Sequence, residues 1–271
     1  MRYLNLACGN IYIKSNNWEN CDFAPESKHV RRVNLLKKFP YNDNLFDLVY
    51  SSHYIEHVPK LSIDFFLSEC IRVLVPGGLL RLVLPDFESI TREYLKNIDT
   101  GSFKNAEFNI VEMVDQCVRT KPGGELNDWY RMAGNDEQLR NYISTRTGKD
   151  FSKKIDLNVN KLTRWKKFTF PKFKQYLEQK MVFALINLFP AWFKTFHVSK
   201  TSTGEKHLWI YDFHLLSKML YSIGFRDIVK LTATESTDQG FPIYPLDIDQ
   251  EGKSRKGSES MYIEARKPEY F

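Results

Sequence analysis

The sequence predicts an α/β fold: a doubly wound, mostly parallel sheet with an antiparallel pair of strands at one edge and a helical insertion. Three observations carry this. Short apolar runs alternate with turn signals and helical periodicity over residues 1–98, the alternation vanishes over 99–204, and it returns over 205–271. A chain of 271 residues, 42% hydrophobic and 27% charged, has an ordinary globular composition. It is long enough for one large core plus an insertion the size of a small domain.

"RYLNLA" (2–7) reads as the first strand. A second, short one is followed by "NCDF" and a third by "VNLLKKFP". "FDLVYS" (46–51) is strand-like, and so is "GLLRLVLP" (78–85), nearly all apolar as a doubly covered central strand should be. Between them, "SIDFFLSECIRVL" (62–74) places apolar residues at 63, 66, 67, 70, 71 and 74, the rhythm of a helix that Pro76-Gly77-Gly78 stops. Together these pieces make one right-handed crossover, and the zone as a whole reads as parallel βα units. After residue 204, "YDFHLLSKMLYSIGF" (211–225) is an amphipathic helix ended by Gly224. "RDIVKLTA" (226–233) and "SMYIEARK" (260–267) then alternate like antiparallel strands. The segment 99–204 reads as helical, loop-rich and aromatic, with no internal repeat.

Cys8, Cys21, Cys70 and Cys117 form no close pair, which suggests free thiols in a reducing compartment. With no visible signal peptide, a cytoplasmic location is expected. The longest apolar run, "MVFALINLFPAWF" (181–193), is interrupted by Asn187 and Pro190 and is too short to span a bilayer. The net charge of +6 is local: between Lys161 and Lys180 lie seven cations and the single acid Glu178. Trp165, Phe168, Phe170, Phe173 and Tyr176 interleave with them. Such a stretch suits stacked bases, a phosphorylated or nucleotide-linked sugar, peripheral contact with an anionic membrane, or simply a solvated helix face.

"SSHYIEHV" (51–58) contains His53-x-x-Glu56-His57, the pattern of an inverted zinc-peptidase motif. That reading needs both imidazoles on a long helix. His53 lies two residues beyond a strand and Pro59 follows His57 by two, which leaves room for a turn or two, so the sequence assigns no metal. Ligands of open α/β sheets bind beyond the carboxyl ends of the strands. The residues there are "ACGN" (7–10), Asp22, "VNLL", "SSHYIEH" and, after "LP", Asp86.

Taken as a set, "LNLACGN" (4–10), "FDLVYSSHYIEHV" (46–58) and "RVLVPGG" (72–78), with "GEKHLWIYD" (204–212) and "SMYIEARKP" (260–268), resemble the class I S-adenosylmethionine-dependent methyltransferases of Rossmann-like fold. The resemblance is to the group associated with cell-surface glycans. It implies a cofactor-binding domain over 1–98 and 205–271, with the insertion 99–204 shaping the acceptor site. Gly9, Ala7, Cys8 and Asn10 would wrap the methionine end of S-adenosylmethionine, with Asn5 on the strand leading into them. Asp22 would hold the ribose, Phe23 and Leu35 would flank the adenine, and Ser51 and His53 would face the sulfonium. Asn34, where an aspartate is common, can still reach adenine through its amide. Ala7 stands where glycine is usual, and is tolerated only if its backbone keeps a negative φ.

Methyl transfer to a hydroxyl calls for a general base. The candidates are His53, ranked first by position, His57, Asp86 and His207. Asp86 reads also as a helix N-cap, and His207 as an ordinary exposed loop histidine. The expected function is O-methylation of a sugar or sugar-like small molecule in surface-polysaccharide or capsule synthesis. An RNA methyltransferase remains an alternative, although no RNA-binding module accompanies the basic segment. So does a degenerate cofactor-binding domain that acts as a non-catalytic partner without turnover.

Overall fold

The computed structural model describes residues 1–151, 180–182, 184–199, 201 and 204–270. Its strands are β1 (Tyr3–Leu6), β2 (Trp18–Asp22), β3 (Arg31–Arg32), β4 (Phe46–Ser52), β5 (Leu74–Pro85), β6 (Arg226–Leu231) and β7 (Ser260–Arg266). Its helices are α1 (Ile63–Val73), α2 (Phe87–Asp99), α3 (Phe103–Val118), α4 (Leu126–Ala133), α5 (Glu137–Thr147), α6 (Ala191–His197) and α7 (Phe213–Ile223). One sheet forms in the order β3-β2-β1-β4-β5-β7-β6. Pairing is parallel from β3 through β5, and β7 runs antiparallel between β5 and β6. This is a Rossmann-like, mostly parallel sheet with an antiparallel edge pair, and its strand order reverses beside β1.

Helices are fewer than the βα reading expects. The connections 7–17, 23–30 and 33–45 hold none, and only the β4–β5 crossover carries one, α1. The first two are too short to form a helix and also return across the sheet. The third spends its length burying Val33, Leu35, Phe39 and Tyr41 in the core. The Pro-Gly-Gly expectation is also corrected. Helix α1 has ended by Val73, Leu74 is already extended and pairs with Phe46, and the glycines lie within β5. Gly78 is needed there, because a Cβ would stand 2.7 Å from the Val75 carbonyl oxygen.

Helices α1 and α7 cover one face, packing Phe66, Leu67, Cys70, Leu216 and Leu220 against Leu4, Leu6, Val49, Leu80 and Leu82. As read, α7 is closed by Gly224, at φ +116°; its N-cap is Asp212, which accepts the Leu215 N–H at 2.7 Å. The opposite face, with Trp18, Leu48, Tyr50, Leu79 and Val83, is covered by Ala233, Phe241 and Leu246 from the chain between β6 and β7. In its middle sits a residue that an apolar strand should not contain, Arg81, with no exposed surface. Its Nε donates to Asp247 Oδ2 at 2.7 Å and its Nη1 to Glu264 Oε1 at 2.6 Å. The carbonyls of Glu235 and Thr232 accept two more of its protons, and the Tyr50 hydroxyl donates to the other Asp247 oxygen at 2.7 Å.

Helices α3 to α5 bury a small core of their own, built on Phe108, Leu126, Leu139 and Ile143. That agrees with a helical reading of residues 103–147. The aromatic-basic stretch singled out over 161–180 lies outside the described residues except for Lys180. No helix among the described residues is long and apolar enough to cross a membrane.

Replacing Arg81 by methionine would strand Asp247 and Glu264 as unpaired buried carboxylates. Breaking a buried pair in this way costs about 3–5 kcal/mol, so Arg81→Met is expected to lower the urea midpoint by that equivalent. A midpoint within error of wild type would show that the network contributes nothing to folding.

Candidate functional site

Strand register sets the site. Leu6 stands opposite Cys21 on one side and Ser51 on the other, so the loop after β1, Asp22 and the loop after β4 all leave the sheet at the same edge. The Cys8 N–H is fastened to the Cys21 carbonyl at 3.0 Å. Asp22 turns back toward that loop, accepting the Gly9 N–H through Oδ2 at 3.0 Å and the Ala24 N–H through Oδ1 at 2.9 Å. Gly9 and Asn10 are exposed. Gly9 has φ +52°, and a Cβ built on it would meet nothing within 4 Å, so the space above the loop is open.

The other residues expected around a cofactor divide into two groups. Phe23 is 47% exposed, with the Arg32 guanidinium 5.6 Å from its ring centroid. Asn34 is exposed too, but its Oδ1 already accepts the Leu36 N–H at 3.0 Å. Leu35 packs inside the core, and Ser51 is buried, donating to the Leu6 carbonyl at 3.3 Å. Asn5 is buried beneath the loop, donating to the Ile11 carbonyl at 3.2 Å, while its partner Asn20 donates to the Ile13 carbonyl at 2.9 Å. Both asparagines hold the loop from below. Burial pushes the Cys8 thiol up to about 12, so it stays protonated and is a poor nucleophile.

The negative φ required of Ala7 is not what is found. Ala7 lies at φ +51°, in the left-handed region where a Cβ is strained. The Cys8 and Gly9 hydrogen bonds on its far side impose that conformation.

At the mouth of β4, His53 also has φ +51°, with its N–H donating to the Val83 carbonyl at 2.7 Å. A single 3-10 turn, Ile55–His57, follows. The long helix of the zinc-peptidase reading is absent there. His53 Nε2 lies 3.0 Å from Ser260 Oγ, and its Nδ1 lies 3.3 Å from Glu56 Oε1. Burial, with the nearby Lys256 and the two other imidazoles, holds His53 well below the usual histidine range. It is therefore a neutral imidazole, 17% exposed. Glu56 is fully buried, neither of its carboxylate oxygens has a hydrogen bond, and burial raises it to about 8. His57 donates from Nδ1 to the Lys206 carbonyl at 2.8 Å; burial lowers its pKa too.

Two base candidates are relocated by the fold. His207 is not an exposed loop residue. It is 9% exposed, its ring lies 4.9 Å from that of His57, and burial pushes it down to about 3. Asp86 caps α2, accepting the Glu88 N–H at 3.1 Å, and its other oxygen pairs with Lys230 at 2.6 Å. With both oxygens engaged and 2% of its surface exposed, Asp86 is a structural cap and not a free base. Sequence reasoning missed Ser260, Lys256 and the isolation of Glu56. Ser260 had one available signal, its place at the start of a strand of the antiparallel pair.

Ser260 also lines a cleft of about 1060 Å³ with Ser144, Thr145, Lys149, Thr232 and Ser258. This cleft lies between α5 and the ends of β6 and β7 at the same edge of the sheet. His53 Nε2 and the cleft thus meet at one hydroxyl.

Residues 8–82, from the loop after β1 into β5, match the family described as Methyltransferase domain. No curated protein matches. Among solved structures, the chain resembles an S-adenosylmethionine-dependent methyltransferase from Mesorhizobium loti, with 19% identity, 33% of this chain and 48% of that one covered, and a TM-score of 0.27. A second, from Archaeoglobus fulgidus, has 12% identity, 98% and 86% covered, and a TM-score of 0.39. A third, from Thermotoga maritima, has 12% identity, 98% and 81% covered, and a TM-score of 0.41. The chain spans about half the length of the Mesorhizobium loti protein.

Ala7→Gly removes the left-handed penalty of roughly 1–2 kcal/mol, less the roughly 0.5–1 kcal/mol of extra chain freedom that glycine loses on folding. The variant is expected to be more stable than wild type by about 0.5–1 kcal/mol in urea denaturation. A destabilised Ala7→Gly protein would mean that the methyl group makes a packing contact worth more than the strain.

Proposed function

We propose that the protein is an S-adenosylmethionine-dependent methyltransferase that O-methylates a sugar or sugar-like metabolite in surface-polysaccharide or capsule synthesis. The observation that carries the cofactor is the Asp22 carboxylate, turned toward the loop 7–10 at the carboxyl edge by its bonds to Gly9 and Ala24. Each oxygen keeps a lone pair for a ribose hydroxyl. Gly9 leaves the neighbouring space open, and Phe23 offers an exposed ring beside it for adenine. The residues present therefore fit the cofactor, with Asp22, Gly9, Asn10 and Phe23 holding it and Asn5 and Ser51 supporting them.

Bound S-adenosylmethionine supplies a methyl group already activated as an electrophile. The chain's own contribution is alignment, which is worth on the order of 7–11 kcal/mol for a nucleophile held in contact with its target. A sugar hydroxyl must also lose its proton, and a positioned base adds roughly 10²–10⁴-fold. His53 suits that part. It stands at the mouth of β4 beside the cofactor loop, and its Nε2 faces Ser260 on the wall of the cleft. The serine and threonine hydroxyls with Lys149 on that wall suit a polyhydroxylated acceptor, including a phosphorylated or nucleotide-linked sugar.

Calorimetry tests the cofactor. The wild-type protein is expected to bind S-adenosylmethionine or S-adenosylhomocysteine at micromolar levels. Asp22→Ala should bind about 10–100-fold more weakly, the loss of one or two charge-assisted hydrogen bonds. No measurable binding of either compound to the wild type removes the reading. Screening of nucleotide sugars and glycan fragments tests the acceptor. On a methylated acceptor, His53→Gln should keep wild-type cofactor affinity while kcat falls by roughly 10²–10⁴; unchanged turnover assigns the base elsewhere.

A further inference from the structure

The most anomalous group in the molecule is Glu56. Its side chain is 2% exposed, yet neither oxygen accepts a hydrogen bond, and among the described residues no lysine or arginine lies within ion-pair distance of it. A buried carboxylate left in this state is costly, so such groups are normally paired or bound to a cation. His53 Nδ1, at 3.3 Å, is out of line for a hydrogen bond.

Two imidazoles converge on the same point. One ligand atom each from Glu56, His57 and His207 lies within 4.8 Å of the others. We propose that Glu56, His57 and His207 bind a divalent transition-metal ion with the ligand preferences of zinc, fastening the loop after β4 to the segment that returns at 204–209. This trio differs from the His53–His57 pair that the linear motif suggests, and the third ligand comes from a strand-free segment some 150 residues further along the chain.

Three features beyond proximity support it. The donor set, two imidazoles and one carboxylate, belongs to borderline ions such as Zn²⁺ and not to Mg²⁺ or Ca²⁺, which take oxygen ligands. His57 Nδ1 donates to the Lys206 carbonyl at 2.8 Å, which fixes the tautomer and leaves Nε2 free as a ligand, as metal-bound histidines are usually arranged. The backbones that carry the ligands are already pinned together. The Glu56 carbonyl accepts the Leu208 N–H at 2.7 Å, and the His207 N–H donates to Gln116 of α3 at 2.9 Å. Ligands around a tetrahedral ion at about 2.0–2.2 Å lie closer together than 4.8 Å, so binding would draw the three side chains inward. Three protein ligands leave a fourth position open to water or an acceptor oxygen.

The test uses the full chain, stripped of metal and titrated with Zn²⁺, Co²⁺ and Mg²⁺. One equivalent of Zn²⁺ should bind, Co²⁺ should give the intense visible absorption of a tetrahedral site, Mg²⁺ should do neither, and Zn²⁺ should raise Tm. Losing an outer partner of a metal site costs roughly 10–100-fold in affinity. Losing a ligand should cost at least about 100-fold, so Glu56→Gln, His57→Gln and His207→Gln should each bind Zn²⁺ that much more weakly. Glutamine keeps most of the side-chain volume, and circular dichroism reports whether each variant is folded. Wild-type Zn²⁺ affinity in folded Glu56→Gln and His207→Gln, or no stoichiometric Zn²⁺ binding by the wild type, overturns the proposal. The metal readouts are independent of cofactor binding, so this site and the proposed function stand or fall separately. If Zn²⁺ is not bound but Glu56→Gln alone weakens the acceptor, the orphan carboxylate serves a substrate hydroxyl instead.

Discussion

The constraint on which the carboxyl edge depends is the register of β1 between its two neighbours. Leu6 opposite both Cys21 and Ser51 brings three chain exits together: the loop 7–10, Asp22 and the 52–58 loop. Register here is fixed by burial, because Leu4 and Leu6 lie in one core cluster with Cys21 and Val49 while Tyr3 packs against the other. A slip of one residue would exchange the faces. It would also turn Asp22 away from Gly9, and no local rearrangement of the loop could restore the bond.

The two residues with left-handed backbone at this edge follow from the same arrangement. Ala7 and His53 leave adjacent strands with φ +51° each, and each is followed or held by a backbone hydrogen bond to a neighbouring strand, to Cys21 and Val83 respectively. Conformations of this kind cost of order 1–3 kcal/mol and persist when the surroundings over-determine them. What the strain achieves is direction. At His53 the chain turns sharply out of β4, so the imidazole comes to lie between Glu56 and Ser260 instead of continuing the alternation of the strand. A linear motif cannot express such a turn, which is why His53-x-x-Glu56-His57 reads as a helix face on paper and folds as a corner followed by a single 3-10 turn.

The same contrast explains what the sequence could and could not convey. The strands, α1, α7 with Gly224, and the antiparallel edge pair were legible because each depends on local periodicity or on a cap. The missing helices in the early connections were not, because apolar residues such as Leu35 and Phe39 serve a packed loop as well as they would a helix. Asp22 was legible from its position after a short strand. The partners of Glu56 were not, since a buried carboxylate with no hydrogen bond is a property of three-dimensional surroundings, and His207 reaches it from a segment whose own pattern is unremarkable. Asp86 offered two readings, cap and base, and only the Lys230 contact separates them.

Arg81 shows how a departure from pattern can carry information. A buried ion pair adds little net stability compared with apolar residues of similar volume, but it discriminates strongly between pairings. In β7 the residue directly opposite Arg81 is Glu264, so their contact is satisfied in one register only. That register sets Ser260 opposite Pro85, at the last rung of the ladder, where its hydroxyl meets His53 Nε2. An apolar residue at 81 would remove this electrostatic check on the pairing of β7 with β5, and any slip would carry Ser260 away from the imidazole. The charge at the centre of the sheet thus fixes the position of a hydroxyl at its edge, and through that hydroxyl it joins the candidate base at β4 to the cleft beside β6.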